Sequence, residues 1–113
     1  MAEPIRVIWA FQVLPAVCAE FMEVYGDSGD WAVLFRQCPG YIRTELVRNT
    51  NDPNRFMTID HWESLACFRA METSCIREAY QQLDRKCERL TQSEEHLGIF
   101  QEIRAPETRR PGT

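Results

Sequence analysis

The stretch TIDHWESLACF, Thr58 to Phe68, sets an acid, an imidazole and an indole at consecutive positions. These are the residue types from which a general base or a hydrogen-bonded Asp-His pair is built. In a strand, however, neighbours point to opposite faces, so Asp60 travels with Thr58 while His61 follows Met57 and Ile59. That parity prevents the two from working as a pair. The expectation is a sheet ion pair between Asp60 and its cross-strand neighbour Arg43, with a half-buried His61 beside it.

The other reactive side chains are scattered. A nucleophilic triad needs a Ser or Cys at a sharp turn with a base nearby, and the chain has two histidines, His61 and His96, in no such setting. Two histidines are also too few for a transition-metal site, and the five glycines form no phosphate-cradling loop. Cys18, Cys38, Cys67, Cys75 and Cys87 are odd in number and lack a C-x-x-C spacing, which points to reduced thiols rather than a disulfide framework. Glu94 and Glu95 fall in an expected turn. What stands out is an aromatic and soft set: Trp9, Phe11, Trp62, Met71, Cys75 and Tyr80, with Tyr25, Trp31, Phe35 and Phe68 in support. Trp9 in mid-strand and Met71, Cys75 and Tyr80 along a late helix would border one cleft suited to a flat apolar ligand.

The elements that would position these residues follow from periodicity. Ile5, Val7, Trp9, Phe11 and Val13 alternate with Arg6, Ile8, Ala10 and Gln12, which predicts a strand covered in part on both faces. Pro15 suits the first turn of a helix over about 16–25, whose stripe is Val17, Phe21, Val24 and Tyr25. GDSGD ends that helix, Asp30 is placed to cap a short second piece, WAVLFRQ, and Pro39-Gly40 closes it. YIRTELVRN and RFMTIDHW are β-rich runs joined by NTNDPN, a hairpin signature. Ser64 is placed to cap a helix from Leu65, and a kink at Thr73-Ser74 leads into Ile76, Ala79, Tyr80, Leu83, Cys87 and Leu90, four turns of stripe. HLGIFQEI alternates again. The order β-α-β-β-α-β, with one extra short helix, predicts an α+β, ferredoxin-like fold: a four-stranded antiparallel sheet with helices on one face. Its other face is apolar enough to need a cover, which a second copy stacked sheet to sheet would supply.

Composition sets the outer limits. With 113 residues, 44% hydrophobic and 27% charged, one globular domain over 1–104 is expected, followed by a flexible tail, 105–113. A formal charge of −4 and a pI near 5.2 exclude a basic field for nucleic acid. No run reaches the ~18 apolar residues of a membrane span or has a signal-peptide design, so a cytoplasmic protein is expected.

RFMTIDHWESLACFRAM after PGYIRTELVRN, preceded by VIWAFQVLPAVCAEF, resembles the antibiotic biosynthesis monooxygenase family of dimeric α+β barrels. The likeness spans roughly 5–103 and rests on the W-E-S before a helix, the Pro that opens the first helix and the P-G-Y before the second strand. It implies a homodimer with pockets between sheet and helices. Family members oxidise phenols or quinols with oxygen and no bound cofactor, degrade haem, or isomerise small signal molecules. In the cofactor-independent oxidations the substrate is the electron donor, and the protein binds, orients and deprotonates it. Quinol-oxidising relatives carry histidines where this chain has Met71 and Cys75, whereas Tyr80 matches a tyrosine common among them. The haem-degrading arrangement of Asn, Trp and His is replaced by Trp9, Met71 and a residue near Tyr80 or Gln81. The resemblance therefore implies a cofactor-free monooxygenase for a small electron-rich aromatic, with Tyr80 as the candidate catalytic residue. The alternatives are a non-catalytic dimer of the same fold that binds a small molecule, and, behind it, a haem-binding protein.

Overall fold

The alternating run Ile5–Val13 forms strand β1 in the computed structural model, which describes residues 3–74 and 76–103. Strand β1 is central. It pairs antiparallel with β3, Arg55–Trp62, on one side and with β4, Thr91–Gln101, on the other, and β3 pairs antiparallel with β2, Tyr41–Arg48. The resulting order, β2-β3-β1-β4, is the ferredoxin-like α+β sheet expected from the element order. Helices α1, Cys18–Tyr25, α2, Asp30–Phe35, α3, Leu65–Glu72, and α4, Arg77–Cys87, pack over one face.

Register decides what those helices meet. Val7, Trp9 and Phe11 lie opposite Asp60, Thr58 and Phe56, and Thr44 lies opposite Asp60, so all of these share the helix-covered face. Phe21 of α1 stacks on Tyr25 at 4.2 Å and meets Phe56 at 4.9 Å and Phe11 at 5.4 Å. Phe35 of α2 and Phe68 of α3 close edge-on around Trp62 at 5.7 and 5.8 Å. Phe21 and Trp62 are fully buried, and burial of a ring of this size contributes about 1.5–3 kcal/mol.

Local chemistry agrees with several sequence expectations. The Ser64 hydroxyl accepts the Cys67 N–H at 3.1 Å and caps α3. In the β2–β3 hairpin, Asn49 Oδ1 accepts the N–H groups of Asn51 and Asp52, and Asp52 Oδ1 accepts that of Asn54, so side chains satisfy backbone that the ladder leaves open. Among the described residues no helix is long and apolar enough to cross a membrane.

Other expectations are corrected. The first helix opens with a 3-10 turn, Pro15–Val17, before α1 begins at Cys18. Asp30 is the first residue of α2 and not its cap; Gly29 holds that position, where a Cβ would strike the Glu23 and Val24 carbonyl oxygens. The kink at Thr73-Ser74 is a full break between α3 and α4, with the Ser74 hydroxyl donating back to the Met71 carbonyl at 2.8 Å. Helix α4 ends at Cys87, and Glu88–Leu90 tighten into a 3-10 turn. Strand β4 starts at Thr91, so Glu94 and Glu95 are strand residues facing Phe11 and Ala10 across the ladder, not a turn. Long-range pairing with β1 overrides the local turn propensity there.

The expected Arg43–Asp60 ion pair is also absent. A register shift between Tyr41 and Arg43 sets Arg43 opposite His61, on the uncovered face. There Glu45 bridges Arg43 at 3.5 Å and His61 Nε2 at 2.6 Å, and the His61 hydrogen bond holds the Glu45 carboxyl below the usual range. Ile8, Met57 and Ile59 are half-buried on that face, and Val47 and Phe100 are exposed.

Candidate functional site

A cavity opens between the helix-covered face of the sheet and helices α1, α2 and α4. It offers about 70 Å³ to the centres of water-sized spheres, room for about five waters or one substituted ring at the ~10–15 Å³ such a measure assigns to each water. Trp9 and Phe11 of β1 form the sheet wall, and Tyr25, Trp31, Phe35 and Tyr80 form the helical wall. Their rings interlock: Trp31 meets Tyr80 edge-on at 4.9 Å and Phe35 at 5.9 Å, and Trp9 lies 6.5 Å from Phe11.

The floor is polar. Thr44, Thr58 and Asp60 line it from β2 and β3. The Thr44 hydroxyl donates to Asp60 Oδ1 at 2.6 Å and lies 2.7 Å from the Tyr41 hydroxyl. Since Thr44 has one proton and gives it to the carboxylate, Tyr41 donates to Thr44, and the three form a directed chain. Asp60 retains some accessible surface because it borders the cavity, yet the protein around it strips away most hydration. Burial therefore pushes its carboxyl from 3.8 up to about 6, against the lowering effect of the Thr44 hydrogen bond. Asp60 Oδ2 has no hydrogen-bond partner among the described residues.

Tyr80 brings the second functional group. Its hydroxyl makes no hydrogen bond to a described residue, and burial followed by the nearby Asp84 and Asp60 charges pushes it up to about 12. It is a fixed donor across the neutral range. Burial also raises Tyr25 and Cys87, whose polar atoms crowd the corner beneath Trp31; the Trp31 indole N–H is buried there without a well-aligned acceptor. Asp84 of α4 and Glu94 of β4, both exposed, complete the lining.

Of the residues singled out from sequence, Trp9, Phe11 and Tyr80 line this cavity together. Trp62 lies in the core between Phe35, Tyr41 and Phe68 and does not border it. Met71 lines a separate groove with Phe68, Glu72, Arg77 and Gln81, and Tyr80 is the one described residue that borders both this groove and the cavity. Cys75 lies outside the described residues, as does the tail expected over 105–113. Sequence reasoning missed the polar floor. The signal was present: on the face of β3 that carries Phe56 and Trp62, the two positions between them are Thr58 and Asp60, polar residues in an otherwise buried stripe. Among the described residues no three His, Cys, Asp or Glu side chains converge as a metal site.

A family model described as antibiotic biosynthesis monooxygenase matches residues 4–83. Among solved structures, SnoaB, a cofactor-independent oxygenase from Streptomyces nogalater, is 24% identical with a TM-score of 0.70, covering 95% of this chain and 100% of its own. A protein from Pseudomonas aeruginosa is 19% identical with a TM-score of 0.62, covering 94% and 98%. A conserved protein from Methanosarcina mazei is also 19% identical, with a TM-score of 0.62 over 90% and 95%. At these identities the likeness is one of fold. No curated protein matches the chain.

Proposed function

The chain belongs to the antibiotic biosynthesis monooxygenase family, and from that premise we propose that it oxidises a small electron-rich phenol or hydroquinone with molecular oxygen, the substrate itself supplying the electrons. The observation that carries this reading is the Asp60 carboxyl, poised at about 6 on the floor of an aromatic-walled cavity with one oxygen unengaged. A group that is ionised at neutral pH yet only weakly solvated is a competent general base.

In this reading Asp60 Oδ2 takes the phenolic proton while Tyr80 donates a hydrogen bond to the ring oxygen. The phenolate passes one electron to oxygen, and the radical pair joins at a ring carbon bearing hydrogen. Asp60 returns its proton to the peroxide. Loss of the ring C–H proton and cleavage of the O–O bond then release water and leave a quinone, so one oxygen atom enters the product and the other departs in water. Thr44 and Tyr41 orient Asp60 and hold its first oxygen away from the substrate. The aromatic walls hold the ring flat and exclude bulk water.

A dimer belongs to the same proposal: the half-buried Ile8, Met57 and Ile59 on the uncovered face are positioned for a second copy. A second reading, ligand binding without turnover, is favoured by the lack of a histidine among the described residues that line the cavity. Oxygen-electrode measurements on the purified, metal-free protein with a panel of hydroquinones and naphthols separate the two. Oxygen uptake with quinone release supports the oxygenase; saturable binding of the panel without uptake supports the binding protein and overturns the first reading.

A further inference from the structure

The charge balance of the cavity is one-sided. Asp60, Asp84 and Glu94 line it, and among the described residues no lysine, arginine or histidine does. Neither Asp84 nor Glu94 has an ion-pair partner among the described residues. Glu94 is raised by burial and then by Asp84 and Glu88, both of its own sign. The imidazole of His96 lies 4.8 Å from the Trp9 ring, tilted by 40° against it, and is not among the described lining residues. The rings of Trp9, Trp31 and Tyr80 line the same cavity as these carboxyls.

Aromatic faces and unpaired carboxylates attract the same kind of ligand, an organic cation, the rings through their quadrupoles and the acids through charge. The arrangement also bears on the chemistry. Once Asp60 holds the phenolic proton, the Asp84 and Glu94 carboxylates still oppose the phenolate, and no cation stands beside it among the described lining residues; an ammonium on the ligand would offset that opposition. We propose that the cavity selects an aromatic ligand bearing a protonated amine, with its ring between Trp9, Trp31 and Tyr80, its phenolic oxygen toward Asp60 and its ammonium toward Asp84 and Glu94 at the mouth. This rests on the reading that the cavity is the substrate site, and it adds the substrate class: aminated phenols are accepted and carboxylated ones rejected.

Isothermal titration of the full chain with three phenols of similar size tests it: tyramine as the cation, p-propylphenol as the neutral form and p-hydroxyphenylacetate as the anion. At low salt tyramine should bind about tenfold or more tighter than p-propylphenol, with p-hydroxyphenylacetate the weakest. The tyramine preference should shrink to threefold or less in a Glu94→Gln, Asp84→Asn double variant and as salt is raised. Both positions are exposed and the replacements nearly isosteric, and circular dichroism confirms that the variant is folded. Equal binding of tyramine and p-propylphenol overturns the inference and leaves the substrate site standing. A preference that survives in the folded double variant also overturns it, because the cation then sits elsewhere. If none of the three binds, the cavity is not the substrate site and both readings fall.

Discussion

The Thr44 hydroxyl and the Asp60 carboxylate meet at 2.6 Å across the β2–β3 ladder, on the face of the sheet that the helices cover. This contact holds a carboxylate inside an apolar layer with one oxygen satisfied and the other unengaged by any described residue, and its consequences for stability and activity can be measured.

Asp60 should cost the fold stability at neutral pH. Its carboxyl titrates at about 6 in the folded chain against 3.8 as the ordinary value, so the native state holds more protons between those values and stability falls as pH rises from about 4 to 6. The shift corresponds to a cost on the order of 2–3 kcal/mol above pH 6. Urea denaturation across pH should show this decline in the wild type and its loss in Asp60→Asn, which should be the more stable protein at pH 7.5. The same variant should lose about 10²–10⁴ of its oxygen uptake.

Thr44→Val should move the pH profile rather than abolish the reaction. The Thr44 hydrogen bond lowers the Asp60 pKa, so its removal raises that pKa further and shifts the acid limb of kcat/KM above pH 6. A limb that stays in place would show that Asp60 is not the group being titrated.

Tyr80→Phe should lower kcat with little change in fold, since the Tyr80 hydroxyl makes no hydrogen bond to a described residue. Trp9→Ala should raise KM by removing one wall of the cavity. Steady-state oxygen uptake separates the two effects.

Ser64→Ala should cost about 1 kcal/mol by removing the hydroxyl that accepts the Cys67 N–H at the start of α3. Thermal denaturation reads this, and activity at low temperature should be unaffected because Ser64 does not border the cavity.

The proposed dimer should appear at micromolar concentration by light scattering, and Ile59→Glu, which sets a charge at the middle of the uncovered face, should yield a folded monomer. A wild-type monomer at that concentration would contradict the proposal.

Sequence alone determined the order and type of nearly every element, because each depends on local periodicity: alternation in Ile5–Val13, the helical stripe around Phe21, the Ser64 cap and the turn formers of the hairpin. It also expected Trp9, Met71, Cys75 and Tyr80 at one cleft; Trp9 and Tyr80 do border one cavity, while Met71 lines the separate groove on the other side of Tyr80 and Cys75 lies outside the described residues. Tertiary structure alone decided the floor of that cleft. Parity showed that Asp60 and His61 part company, but which of them faces the helices depends on pairing with β1. The partner Asp60 takes depends on a register shift near Tyr41 that exchanges Arg43 for Thr44. A slip of one residue turns a strand's side chains to the other face, and it is set by contacts dozens of residues apart in the chain. In the same way, pairing with β1 turned Glu94 from a turn residue into a carboxylate at the cavity's mouth. The acid in the opening stretch is thus a buried group that borders the cavity, and the imidazole beside it belongs to the opposite face of the sheet.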